Sequence, residues 1–126
     1  MDGLSTDQTQ RLIEIMMDHA RRDETSELAE AYDRGFPIDV RDAKGNTALM
    51  YAAYHGNLDT LEMLIARGAD INIRNERDQS PVAGAIFKGE EEVVRLLTQA
   101  GADLDAGTPS ARQTAELFGK QYLLAS

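Results

Sequence analysis

Two imidazoles and a surplus of carboxylates are the side chains here with the chemistry for proton transfer or metal ligation. His19 and His55 are the only histidines, set among 22 Asp and Glu residues. A zinc site built on histidine needs further His or Cys ligands at short, regular spacing. No second His or Cys stands at such a spacing from either residue, and the chain has no Cys at all. Nucleophile-elbow, phosphate-loop and dinucleotide-binding glycine patterns are also missing from the sequence. Paired acids could act as general acid and base, but only within a cleft. The sequence therefore predicts no enzyme, no catalytic residues, no metal site and no cofactor.

Charge and hydropathy narrow the partners. A formal charge of −9 disfavours nucleic acid and anionic membrane as ligands. The N-terminal "MDGLSTDQTQ" is polar and acidic, unlike a secretory leader, and the longest apolar run, "ALMYAAY", is too short to span a bilayer. Absence of cysteine is compatible with a reducing compartment, so a cytoplasmic protein is the expectation. With 126 residues, of which 42% are hydrophobic, the chain can build one core and one domain, 1–126.

What would position any functional side chain is a repeat. Gly56 to Gly89 and Gly68 to Gly101 are both 33 residues apart, and "RGADINI" returns as "AGADLDA". Ala52 maps to Ala85, Leu61 to Val94, Leu64 to Leu97 and Ile71 to Leu104. Counting back from Gly68 reaches Gly35, so the period extends into the N-terminal third. Each unit reads as helix, turn, helix and extended exit. Thr47 and Ser80 are N-caps, Pro81 takes the first helical position, and Gly56 and Gly89 end the first helices. Asn57 and the run Glu90, Glu91, Glu92 open the second helices, where carboxylates meet the positive end of the dipole. Such a unit is too thin to bury its own apolar face, so units must stack. Leu49, Leu61, Leu64, Ile65, Val82, Val94 and Leu97 are the predicted core.

These residues resemble the ankyrin repeat family. "DAKGNTALMYAAYHGNLDTLEMLIARGADIN" follows its pattern almost throughout, and "NERDQSPVAGAIFKGEEEVVRLLTQAGADLD" follows it with substitutions. The resemblance implies an all-α solenoid of stacked helix-turn-helix repeats, two full ones flanked by two atypical caps. The units fall at about 5–41, 42–74, 75–107 and 108–126. In the N-terminal cap, Ser5 and Gln8 offer a capping box, with Leu12, Ile15 and Met16 inward, and Asp23 replaces the helix-ending glycine. By register His19 falls on the Ala52 position, as a partly buried structural residue. In the C-terminal cap, Ser110, Ala115 and Gly119 match Thr47, Ala52 and Gly56, and "KQYLLAS" is a truncated second helix. Met50 and Ala83 stand where the family usually has His, and Asp78 replaces the turn glycine. Both ends read as polar, and a monomer is expected.

The resemblance also implies a protein-binding module that uses a concave face of turns and first helices. A dedicated regulator, such as an immunity or chaperone-like subunit of one partner, is the alternative. The family's variable positions are the turns and the pair before the helix-ending glycine. In this chain the pair gives Tyr54 and His55, Phe87 and Lys88, then Leu117 and Phe118. Arg41, Lys44, Arg74 and Arg77 form a basic cluster on the turns, and Asn46, Tyr51 and Gln79 complete the predicted partner-binding set. An acidic or amphipathic protein segment would suit that surface. In the competing reading, the rings pack on neighbouring units and the cations pair with Asp42, Glu76 and Asp78.

Overall fold

Seven short helices alternate between two layers. The computed structural model describes residues 3–125. Its helices are α1 (Thr6–Arg21), α2 (Thr25–Asp33), α3 (Ala48–Tyr54), α4 (Leu58–Ala66), α5 (Pro81–Lys88), α6 (Glu91–Gln99) and α7 (Ala111–Leu117). A single 3-10 turn, Gln121–Leu124, follows. No strand occurs among the described residues beyond one isolated bridge, Gly107 to Ser110. Helices α1, α3, α5 and α7 pack side by side as one layer, while α2, α4, α6 and the 3-10 turn form the other. The all-α repeat solenoid expected from the sequence is what the chain adopts.

The helix starts and stops obey local chemistry. Ser5 and Ser110 close reciprocal capping boxes with Gln8 and Gln113. Thr47 and Ser80 accept from the backbone of Met50 and Ala83. At the other end of the first helices one hydrogen bond recurs in every unit. Glu24 N–H donates to His19, Asn57 to Ala52, Glu90 to Ala85 and Lys120 to Ala115, at 2.7–2.9 Å. The residue just before each donor is left-handed: Asp23 (φ 56), Gly56 (69), Gly89 (73) and Gly119 (65). Gly68 and Gly101 close second helices in the same region, at φ 85 and 95.

One core runs through all four units. Leu28, Leu49, Ala52, Ala53, Leu61, Leu64, Val82, Ala85, Ile86, Val93, Val94 and Leu97 are buried. Two expectations about it need correction. Ile15 is 50% exposed, and the inward side of α1 is Ile13, Met16, Met17 and Ala20. Ile15 shares register with Ala48, Pro81 and Ala111, all buried, but no helix among the described residues precedes α1 to cover that side. Ile65 is only half-buried, because it lies on the flank of the α4 stripe; Tyr32 and Thr98, at its register, are half-buried too.

Tyr32 puts a phenol where Ile65 puts an aliphatic chain. Its ring lies 6.1 Å from that of Phe36, and its hydroxyl is buried with no hydrogen-bond partner. Burial first, and then the charge of Asp39, hold this phenol well above its ordinary range. The neutral form is thus favoured by folding, so the stability it confers is complete below about pH 10 and is lost as pH rises beyond it.

Three stability outcomes follow. Tyr32→Phe removes the orphan hydroxyl and should raise stability by about 1 kcal/mol, with a shallower loss above about pH 10, read by urea denaturation at several pH values. An equal or lower stability would mean that the hydroxyl has a partner. Leu64→Ala should cost roughly 2–5 kcal/mol through the cavity it leaves. Gly68→Val should lower the melting temperature through backbone strain alone, since no atom lies within 4 Å of an added Cβ. An unchanged melting point would refute that account.

Candidate functional site

The turns between units are built on Asx geometry. Asp42 Oδ1 accepts from Lys44 and Asn46 backbone N–H groups, and Asn75 Oδ1 accepts identically from Arg77 and Gln79, all at 3.0 Å. Each turn is closed by a backbone bond from Asp42 to Asn46 (2.9 Å) or from Asn75 to Gln79 (3.1 Å). Successive turns dock on one another: Glu76 N–H donates to Lys44 at 3.1 Å, and Thr108 N–H to Asp78 at 2.9 Å. The approach at Gly45 is close enough that a Cβ would meet the Glu76 nitrogen at 2.9 Å. Asp78, at the Gly45 register, keeps the left-handed conformation with φ 59. Its carboxylate accepts from the Thr108 hydroxyl at 2.8 Å and pairs with Arg74 at 3.2 Å.

A polar ladder ties these turns to α3. Tyr51 donates to Asp42 Oδ2, and Asn46 Nδ2 donates to the Tyr51 hydroxyl at 3.0 Å. Asn75 Nδ2 then bridges Asn46 Oδ1 and Gln79 Oε1, both at 2.8 Å. The Arg21 guanidinium sits 4.1 Å from the Tyr51 ring centre. Burial, followed by the Asp42 hydrogen bond, pushes the Tyr51 phenol above its ordinary value. The ladder holds the wall of a groove rigid.

That groove runs across α3, α5 and α7 and encloses about 590 Å³. Its floor includes Met50, Pro81, Ala83 and Gly84, and its walls carry Tyr54, Phe87, Leu117 and Phe118. Tyr54 is 39% exposed, Phe87 48%, Leu117 69% and Phe118 51%. Phe87 and Phe118 meet edge to face at 5.2 Å, and Lys88 Nζ lies 5.0 Å over the Tyr54 ring. His55 stands edge-on to Tyr54 at 5.4 Å. In a chain of charge −9, none of the residues lining the groove is Asp or Glu.

The predicted binding residues thus divide. Asn46, Tyr51, Tyr54, His55, Arg77, Gln79, Phe87 and Leu117 come together along the groove, and Lys88 leans over its Tyr54 wall. Arg74 is taken up by Asp78 and lies outside. Arg41 and Lys44 are exposed on the turns, outside the groove, with no ion pair among the described residues. Asn75, the centre of the ladder, was not among the predicted residues, although it occupies the Asp42 register. Phe118, which the sequence places in the last variable pair, pairs with Phe87 across two units. The C-terminal end also departs from the polar cap expected. Leu117, Phe118 and Tyr122 are all more than half exposed.

A second constellation lies in the N-terminal unit. The left-handed turn at Asp23 folds α2 back beside α1, so His19, Glu24 and Glu27 bring ligand atoms within 4.8 Å of one another. Spacing along a single helix does not reveal such a cluster, because its members sit on two helices.

Comparison with known proteins agrees with this architecture. A family model of ankyrin repeats in three copies matches residues 12–108. A Pseudomonas aeruginosa protein named as an ankyrin repeat protein is 36% identical over 56 residues, 44% of this chain. The match spans only 33% of that relative's length. With the repeat model matching most of the sequence, and with helix pairs and left-handed stops recurring at 23, 56, 89 and, three residues early, 119, the chain belongs to the ankyrin repeat family.

Proposed function

We propose that this protein grips an acidic, amphipathic segment of another protein in the groove lined by Tyr54, Phe87, Leu117 and Phe118. Ankyrin repeats are in general protein–protein interaction modules, and binding without catalysis is the reading that suits this one. No helix among the described residues is long and apolar enough to cross a membrane. The lack of cysteine is in keeping with work in the cytoplasm.

The observation that carries the reading is the groove's composition. Twenty-two carboxylates are distributed over this chain, yet the groove lining excludes them and includes Arg77, with Lys88 at its edge. Four large apolar side chains remain partly open to solvent in one concave strip. An apolar strip of that kind stabilises contact with a partner, while a local positive rim on an acidic body selects and orients it. Arg41 and Lys44, exposed on the adjoining turns, extend the attractive field beyond the groove. A basic segment would meet both these cations and an unhelpful lining.

The test uses peptides of alternating apolar and acidic residues, with basic and scrambled controls, measured by fluorescence polarisation. The acidic set should bind preferentially, and its on-rate should fall as salt rises. Tyr54→Ala combined with Phe87→Ala should weaken binding by about thirtyfold or more, the loss of about 2 kcal/mol typical of a buried anchor. Circular dichroism and a melting curve confirm the fold of the variant. Preference for the basic set, or full affinity in the folded double variant, would place the binding site elsewhere.

A further inference from the structure

We propose that His19, Glu24 and Glu27 form a divalent transition-metal site, zinc being the representative ion, which joins α1 to α2 in the first unit. His19 Nδ1 lies 3.0 Å from Glu24 Oε1, and the three ligand atoms fall within 4.8 Å of one another. A tetrahedral ion with bonds of about 2.0–2.2 Å spaces its ligand atoms about 3.4 Å apart. The cluster already brackets that distance, and rotation of the exposed Glu27 side chain closes the remainder.

Register supplies the independent argument. The His19 position is Ala52, Ala85 and Ala115 in the other units, all enclosed. The Glu24 position is Asn57, whose amide donates back to Ala20 and Arg21 carbonyls at 2.8 and 2.9 Å. It is also Glu90, at the start of α6, and Lys120, whose ammonium donates back to the Phe87 carbonyl at 2.9 Å. The Glu27 position is Thr60, which donates to Asp23 at 2.8 Å, and Val93, buried in the core. Inside the array, then, the His19 and Glu27 places are filled by packing or, at Thr60, by a bond to the preceding unit. Among the described units the first alone puts an imidazole and a carboxylate at these two places, beside the carboxylate of Glu24.

A cap that merely needed polarity could have used any hydrophilic residue. Instead, two carboxylates converge on an imidazole, and no Lys or Arg pairs with either among the described residues. The nearby Arg34 is held by Glu30 at 2.8 Å. Glu24 sits at the N-cap of α2, yet its side chain does not cap the helix and turns to His19 instead. His19 and Glu27 both face an open cavity, so an ion has a path in and a position left for water. A cation there relieves the carboxylate repulsion and staples the two helices across the Asp23 turn.

Zinc chloride titrated into the tag-free full chain, followed by calorimetry and thermal melting, tests the site. One zinc per chain should bind, with a rise in melting temperature. His19→Ala puts in the residue type that three other units carry, so it should fold. It should weaken zinc binding by more than about tenfold, as should Glu27→Gln, while Glu30→Gln leaves binding unchanged. No heat and no melting shift up to millimolar zinc would overturn the proposal. So would binding that survives intact in both His19→Ala and Glu27→Gln, or that Glu30→Gln abolishes equally.

Discussion

Everything in this molecule depends on how closely the inner-layer helices approach. Ala52, Ala85 and Ala115, at one register position, are essentially devoid of solvent contact. A larger side chain at any of them would push α3, α5 and α7 apart. The hydrogen bonds that cross between units would lengthen with the same movement. Asn57 reaches back to the carbonyls of α1, and Lys120 to that of Phe87, only at this separation. The turns feel it as well, since Gly45 lies against Glu76 with no room for a Cβ. Small residues, backbone-directed side chains and docked turns are therefore one constraint expressed three times.

The same constraint explains where the chain is free to vary. Tyr54, Phe87 and Leu117 share a register position on the exposed side of the inner helices, outside the alanine contacts. Size there does not alter helix separation. Charge is partitioned accordingly: acids crowd helix starts such as Glu91 and Glu92, where the dipole favours them, and are absent from the groove lining. Several cations elsewhere are neutralised locally, as in Arg67 with Asp33 at 2.6 Å and Arg95 with Glu92 at 2.6 Å. Those exposed pairs contribute little to stability. Arg77 and Lys88, at the groove, make no such pair among the described residues.

Much of this was legible in the sequence because periodicity fixes register, and register fixes burial. The caps at Ser5, Thr47, Ser80 and Ser110 and the left-handed residues at 23, 56, 68, 89, 101 and 119 all lie where spacing placed them. What the sequence hid depends on contacts between units or on their absence. Ile15 reads as inward from helical spacing, yet its partner surface would belong to an earlier unit. Tyr51 reads as a surface aromatic, but Asp42 and Asn46 commit its hydroxyl to the turn. Arg74 pairs with Asp78, one of the acids that the competing reading offered, while Arg41, Lys44 and Arg77 make no ion pair among the described residues. The His19, Glu24 and Glu27 cluster is invisible along one helix because a left-handed aspartate folds the second helix back onto the first.

On the proposed reading of the groove, stability and recognition are separable along this chain. Core positions such as Leu64 and Leu97 have no exposure, so truncation there removes packing that nothing else replaces. Tyr54 and Phe87 keep 39% and 48% of their surface in water, so much of their apolar area is unused by the fold. That unused area is what a partner can bury. The ladder from Asp42 through Tyr51, Asn46 and Asn75 to Gln79 fixes the wall beside these rings before any partner arrives. A preformed wall reduces the ordering cost of association, so a modest apolar strip can still sustain a specific contact. The repeat thus supplies rigidity at positions that cannot change and leaves specificity to positions that can.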